Sequence, residues 1–244
     1  TSAFGVNKII FTISFVFFCF AYIVGELTQQ KRSSIFSDIL ITIGSLWFVG
    51  MVHFFFVSIG FDIFKLINIG TNWVDHSGMQ QVAYNTTWVT LIATLIFLCI
   101  GYINARTPAI HRHTLSLKKK NRVQKSITIA VASDIHLSPI NGAIYIERIV
   151  RKINNLKPDL ILLPGDILDG EVDPVIRRDL GKYLKKFQAK YGIYGITGNH
   201  EYIGGIDRAA KYIEEHGITL LRDEFITVAG ITLIGREDLA SARF

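Results

Sequence analysis

From Ile39 to Phe61 the chain reads ILITIGSLWFVGMVHFFFVSIGF, without a single Asp, Glu, Lys or Arg. As an α-helix such a run is long enough to cross the ~30 Å hydrocarbon core of a bilayer. Ile9 to Val24 (IIFTISFVFFCFAYIV), bounded by Lys8 and Glu26, is also uncharged. Thr87 to Ile103 (TWVTLIATLIFLCIGYI) is near the lower length limit and carries Trp88 and Tyr102 at its ends, where interfacial anchors belong. A buried helix of a soluble domain rarely lacks charge over such lengths, and a cleaved signal peptide would not be succeeded by two more such segments. The sequence therefore predicts an integral membrane protein whose transmembrane region, 1–104, has helices at about 9–24, 39–61 and 87–103. Asp62 to Thr86, with Gly70, Gly78 and scattered polar residues, reads as a loop with an interfacial helix.

Cys19 and Cys99 both fall inside these spans and resemble neither a disulfide framework nor a zinc cluster. His53 is also inside a span. An ionisable side chain there is a functional candidate by default, and the plainer reading is a neutral histidine packed against a neighbouring helix.

Half of the residues are hydrophobic, but they crowd into the first hundred positions. The third span gives way to Asn104 to Lys125, NARTPAIHRHTLSLKKKNRVQK, which holds Arg106, Arg112, Lys118, Lys119, Lys120, Arg122 and Lys125 and no acid. This run outweighs the formal net charge of +6 of the whole chain. It abuts a membrane helix and lacks interleaved aromatics, so it reads as a juxtamembrane linker, 105–125, that lies against anionic headgroups; no nucleic-acid partner is expected. Lys31 and Arg32 between the first two spans and the basic run after the third bias both toward the cytoplasmic side, although Lys8 and Lys65 lie on the opposite side.

From Ser126 short apolar runs alternate with helical periodicity, the pattern of an α/β layered domain spanning 126–244. Strands are expected at Ile127–Ala132, Asp159–Leu163 and Gly192–Ile196, then at 218–221, 225–228 and 231–234 with Gly230 in a tight turn. Helices are expected at Tyr145–Asn155, at about Pro174–Ala189 with proline in its first turn, and at Asp207–His216, closed by Gly217. The first three strands run into Asp134-Ile135-His136, Gly165-Asp166 and Gly198-Asn199-His200-Glu201. Each motif alone is a common turn or cap. Together they place metal-competent groups at three successive strand carboxyl ends, where open α/β sheets carry their sites.

In order and spacing these motifs resemble those of the calcineurin-like metallophosphoesterases, over roughly Ile127 to the end. The words GDILDG and IGREDLASARF, with the helices in front, are similar to a membrane-anchored bacterial branch of that family. The resemblance implies a sandwich of two sheets flanked by helices, two divalent metal ions (Mn, Fe or Zn), and a location in the bacterial cell membrane. It implies that Asp134 and His136 bind the first ion, Asp166 bridges both, and Asn199 binds the second through its amide oxygen, while His200 faces the substrate phosphate as the catalytic residue. Glu201 would orient the loop, and Gly198 would let the backbone approach the site.

The chemistry asks for these residue types. Two cations about 3.5–4 Å apart need an anionic bridge, which a carboxylate supplies with two oxygens, and a metal-bridging water then loses its proton readily and attacks phosphorus in line. A histidine beside them can stabilise charge on phosphoryl oxygens or protonate the leaving alkoxide. The reaction expected is hydrolysis of a phosphate ester or pyrophosphate, with lipid-linked phosphates among the candidate substrates and the bilayer itself as a partner. The family pattern calls for further histidines after the third motif, whereas only His216 is present there, where it reads as a helix C-terminal cap. The chain is accordingly expected to be a piece cut at both ends, its phosphoesterase domain incomplete at the C-terminus and inactive by itself. Two rival functions stand beside the enzyme: a catalytically inactive domain binding phosphate or lipid headgroups, and the sensor domain of a membrane transport or signalling protein.

Overall fold

The computed structural model describes residues 7–31, 34–116 and 126–243. The chain divides into two compact units, residues 1–109 and 110–244. The first consists of three helices, α1 (Lys8–Lys31), α2 (Ile35–Thr71) and α3 (His76–Ala105). All three are long and apolar enough to cross a membrane. Most of their large apolar side chains, Ile9, Phe56 and Phe97 among them, are exposed, as lipid-facing side chains must be. α1 and α2 approach closely through small residues: a Cβ on Gly44 would lie 2.7 Å from Tyr22 Cα, and one on Gly25 would lie 2.7 Å from Ile41 Cγ1. His53 on α2 meets Thr94 on α3, with Nδ1 2.5 Å from Oγ1.

The helices outrun the apolar segments that announce them, and the expected loop over 62–86 is not formed. α2 continues through Gly60 and Gly70 to Thr71, and only residues 72–75 separate it from α3. The turn has its own chemistry. Asn72 closes α2 in the left-handed region, Asn68 bonds both the N–H and the C=O of Val74, and Asp75 caps α3 by accepting from Gly78 N–H at 2.8 Å. Glycine inside a helix costs about 1 kcal/mol, too little to break a helix of 37 residues. Of the basic linker, residues 106–116 are irregular, and residues 117–125, with all of its lysines, lie outside the described residues.

In the second unit, four parallel strands form one sheet in the order β1 (Ile129–Val131), β2 (Leu160–Pro164), β3 (Ile193–Ile196), β4 (Thr219–Leu220). Their registers pair Ala130 with Ile161, Leu162 with Tyr194 and Gly195 with Leu220. A separate antiparallel pair, β5 (Phe225–Val228) and β6 (Ile231–Ile234), turns through Ala229 and Gly230, both at positive φ. Helix α4 (Gly142–Asn155) buries Ile146, Ile149, Val150 and Ile153 against the sheet, the i, i+3, i+4, i+7 stripe read from the sequence. Helix α7 (Ile206–Glu215) buries Ala209, Ala210, Tyr212 and Ile213, and these residues join Leu163, Ile167 and Leu184 in one core.

The long helix expected at about 174–189 is instead two short pieces, α5 (Val172–Arg177) and a 3-10 stretch Leu180–Lys186, separated at Asp179 with φ 49°. A tertiary contact overrides the local periodicity. Gly181 packs on Tyr212 and His216, its N–H donates to Tyr212 Oη at 2.8 Å, and a Cβ there would lie 2.6 Å from that oxygen. His216 is buried, and its Nδ1 lies 2.7 Å from Tyr212 C=O, so it closes the end of α7 as expected.

Candidate metal centre

Three loops at the carboxyl ends of β1, β2 and β3 converge. Beyond β1 the backbone enters the left-handed region at Asp134 (φ 54°) and His136 (φ 46°), and beyond β2 it does so again at Asp166 (φ 50°). For residues with a Cβ each such conformation costs on the order of 1 kcal/mol and persists only where its surroundings enforce it. Here inter-loop hydrogen bonds do so. Asp134 N–H donates to Gly165 C=O (3.3 Å), His136 N–H to Asp166 C=O (2.9 Å) and Leu137 N–H to Ile167 C=O (2.9 Å), and a parallel bridge resumes at Leu137 and Leu168. The kinks turn the two acids and the histidine out of the sheet at one place.

His136, Asp166 and His200 each offer one ligand atom within 4.8 Å of the others, all three half-buried. His136 Nε2 lies 3.9 Å from Asp134 Oδ1 and 4.0 Å from Asp166 Oδ2. Two ligands bound to one ion at ~2.1 Å are at most about 4.2 Å apart, so both separations fall just inside the outer limit for a shared cation, and a small inward rotation of the side chains would bring them to ordinary ligand spacing. Nitrogen and oxygen donors of this kind suit manganese, iron or zinc. Asp134 is the most exposed of the group, and Asn199, the first residue of helix α6 (Asn199–Ile203), is exposed beside it in sequence to His200. The structure thus brings His200 in with His136 and Asp166, their rings edge to face at 4.5 Å, and leaves Asp134 and Asn199 toward solvent.

Glu201 is fully buried and ties the loops together. Its carboxylate accepts the N–H of Gly198 (2.8 Å), Leu168 (2.8 Å) and Asp166 (3.1 Å). Burial pushes its carboxyl above the ordinary glutamate range, helped by the nearby charge of Asp166, while the three amides pull the other way without cancelling it. Asp166 Oδ1 in turn accepts His200 N–H at 3.0 Å, which sets the direction of its second oxygen. Gly198 is required by space rather than by φ, since a Cβ there would lie 2.6 Å from Asp166 N and closer still to Asp166 Oδ1.

One residue of the site lies outside the three motifs. Asp169 Oδ1 lies 3.1 Å from His200 Nδ1 and 3.4 Å from His136 Nδ1, so one carboxylate orients both imidazoles. Its signal was in the word GDILDG, whose second acid comes three positions after the first, enough for the loop to return to the site. A second cluster backs the centre. Glu237 accepts Thr197 Oγ1 at 2.9 Å and short hydrogen bonds from Tyr202 Oη and Arg222 Nε, joining the loop after β3 to the chain beyond β6. Burial pushes the Glu237 carboxyl up, but the bonds from Tyr202, Arg222 and Thr197 together hold it below the ordinary range.

A family model described as calcineurin-like phosphoesterase matches residues 127–238, all three loops included. Over 95% of its length the chain is 26% identical to an uncharacterized metallophosphoesterase of Campylobacter jejuni, 62% of which is covered. It is 30% identical over 49% of its length to a transmembrane protein with metallophosphoesterase domain from Danio rerio, of which 27% is covered. It is also 28% identical over 62% of its length to an uncharacterized metallophosphoesterase of Bacillus subtilis, of which 59% is covered. The chain thus spans about six tenths of the length of the Campylobacter and Bacillus proteins and about a quarter of the fish protein.

Proposed function

The chain carries a calcineurin-like metallophosphoesterase domain over residues 127–238, and on that premise we propose that it is a membrane-anchored hydrolase of phosphate esters or pyrophosphates. The observation that supports this most directly is the cluster of His136, Asp166 and His200 at the carboxyl ends of three successive parallel strands. In this reading Asp134 and His136 would hold one divalent ion, Asp166 would serve that ion and a second, and Asn199 would offer its amide oxygen to the second. The bound ions would supply Lewis acidity and a water acidic enough to attack phosphorus near neutral pH.

The chain's own residues do the rest. With Asp169 accepting Nδ1–H, His200 keeps Nε2 for a phosphoryl oxygen or for the leaving alkoxide, as acceptor or donor of a single proton. Glu201 acts through the backbone, holding Asp166 and His200 at a fixed separation. The domain is assigned to the cytoplasmic side of a bacterial cell membrane from the position of Lys31 and of the basic run, and a reporter fused after Lys125 that is active only outside the cytoplasm would overturn that side.

The test of the roles is metal content measured alongside turnover of a generic phosphodiester with added manganese. Asp166→Asn removes the charge between two cations and is expected to lose metal. His200→Ala is expected to keep the metal and turn over at least 100-fold more slowly, within the range of about 10²–10⁴ for general acid–base groups. Equal metal loss in both variants would move His200 into the ligand set and withdraw its role toward substrate.

A further inference from the structure

The tether from the helices and the metal cluster meet the sheet at opposite ends. Because β1 to β4 are parallel, the carboxyl ends that carry His136, Asp166 and His200 share one pole and the amino ends share the other. The chain coming from the helical unit reaches β1 through Thr128, whose N–H donates to Asp159 Oδ2 (2.8 Å) just before β2. The tether therefore arrives at the amino pole. The five residues of β2, at about 3.3 Å each, set the poles roughly 17 Å apart.

That amino pole carries a basic trough. Asn154, near the end of α4, clamps the segment after the 3-10 stretch: its Nδ2 donates to Lys186 C=O (2.7 Å) and its Oδ1 accepts Gln188 N–H (3.0 Å). Two adjoining clefts meet at Asn154 and Gln188, one lined by Arg151 and Lys186, the other by Lys157 and Lys190. Two acids border them. Glu147 pairs with Lys186 at 3.2 Å, and Asp159 is engaged with Thr128 N–H. Arg151, Lys157 and Lys190 are exposed and have no carboxylate at salt-bridge distance among the described residues. Lys186 and Lys190 lie over the rings of Tyr183 (4.8 Å) and Tyr191 (4.9 Å), which stiffens the row without neutralising it.

Such a row could take any polyanion. The chain itself favours a bilayer, because it also carries three helices long and apolar enough to span one, and covalent linkage to such helices raises the effective concentration of headgroups. We propose that the Arg151–Lys157–Lys186–Lys190 trough docks on anionic lipid headgroups, so that the amino pole rests on the membrane and the metal cluster opens to water on the far side. Where the phosphoesterase reading above holds, this orientation selects a phosphorylated solute over a lipid still seated in the same bilayer.

The experiment uses the full chain in nanodiscs of neutral phosphatidylcholine, with or without phosphatidylglycerol, doped with a headgroup-labelled nitroxide lipid. A fluorophore is placed on Gln188→Cys, or as a control on Ile203→Cys, exposed at the other pole, each in a Cys19→Ser, Cys99→Ser background. Docking predicts quenching at position 188 in anionic discs that high salt reverses, weak quenching in neutral discs, and none at 203. Each cation removed should lower the docked-to-undocked ratio about fivefold, so Arg151→Glu/Lys157→Glu/Lys190→Glu should abolish the signal and the corresponding triple Gln variant should lower it about 100-fold. Quenching at 188 that is equal in neutral discs, that survives the triple Gln change, or that gives way to binding of added RNA in neutral discs overturns the proposal, as does quenching at 203 alone. The readout is positional, so loss of phosphoesterase activity would leave it standing and absence of docking would leave the phosphoesterase reading intact.

Discussion

Glu201→Ala is the sharpest test of how the candidate metal centre is held. The carboxylate is fully buried and its two oxygens serve three amides, those of Gly198, Leu168 and Asp166. Truncation leaves these donors facing a void. A hydrogen bond to a charged acceptor contributes about 1.5–3 kcal/mol, and an orphaned buried donor forfeits a similar amount. Part of this is returned because the carboxylate is itself held at a desolvation cost, visible in its raised pKa. The net expectation is a loss of about 3–5 kcal/mol, a large share of the stability of an ordinary domain. Glu201→Gln should cost less, about 1–2 kcal/mol, since its amide oxygen can sit where Oε2 accepts the Asp166 and Gly198 N–H groups, while its NH₂ opposes the N–H of Leu168. Tryptophan fluorescence cannot report on this, since Trp47, Trp73 and Trp88 all precede the domain. Hydrogen exchange by mass spectrometry of peptides covering 160–170 and 195–203, in chelator, reads it directly. The order Ala far above Gln above unchanged is expected. Ala and Gln costing the same, or Ala costing under about 1 kcal/mol, would refute the claim that this carboxylate is what joins the two loops.

Gly198→Ala forces a Cβ to within 2.6 Å of Asp166 N, so metal content should fall, with a loss of about 1–3 kcal/mol in domain stability from overpacking; unchanged metal binding by elemental analysis would contradict it. Gly44→Ile should separate α1 from α2 through its clash with Tyr22, lowering the melting temperature of the detergent-solubilised chain as read by tryptophan emission, with Gly60→Ile, which has open space around it, as the neutral comparison. The Glu237 carboxyl is depressed in the folded state, so its contribution is fully present above the ordinary glutamate range and is lost as pH falls through the lower folded value. Glu237→Gln should flatten that acid limb of the domain's stability curve, and an unaltered limb would show that the bonds from Tyr202, Arg222 and Thr197 do not favour the ionised form.

What the sequence determined by itself was whatever depends on local composition and period. Charge-free runs announce membrane helices because a buried peptide in hydrocarbon admits no unsatisfied polar side chain, and the stripe Ile146, Ile149, Val150, Ile153 announces α4 because its spacing is the helix's own. Asp134, His136, Asp166 and His200 could be picked out because three strands ended on chemistry that folding does not need. Other features needed the third dimension. The helices ran on past their apolar segments because the caps at Asn72 and Asp75, not hydropathy, set their ends. The helix expected after Pro174 broke because Gly181 finds Tyr212 and His216, residues more than thirty positions away. Asp169 joined the site only because the left-handed turn at Asp166 swings the loop back over both imidazoles. Finally, the opposition of tether and metal cluster comes from parallel pairing: a parallel sheet puts every strand's beginning at one pole and every end at the other, and no stretch of sequence contains that relation by itself.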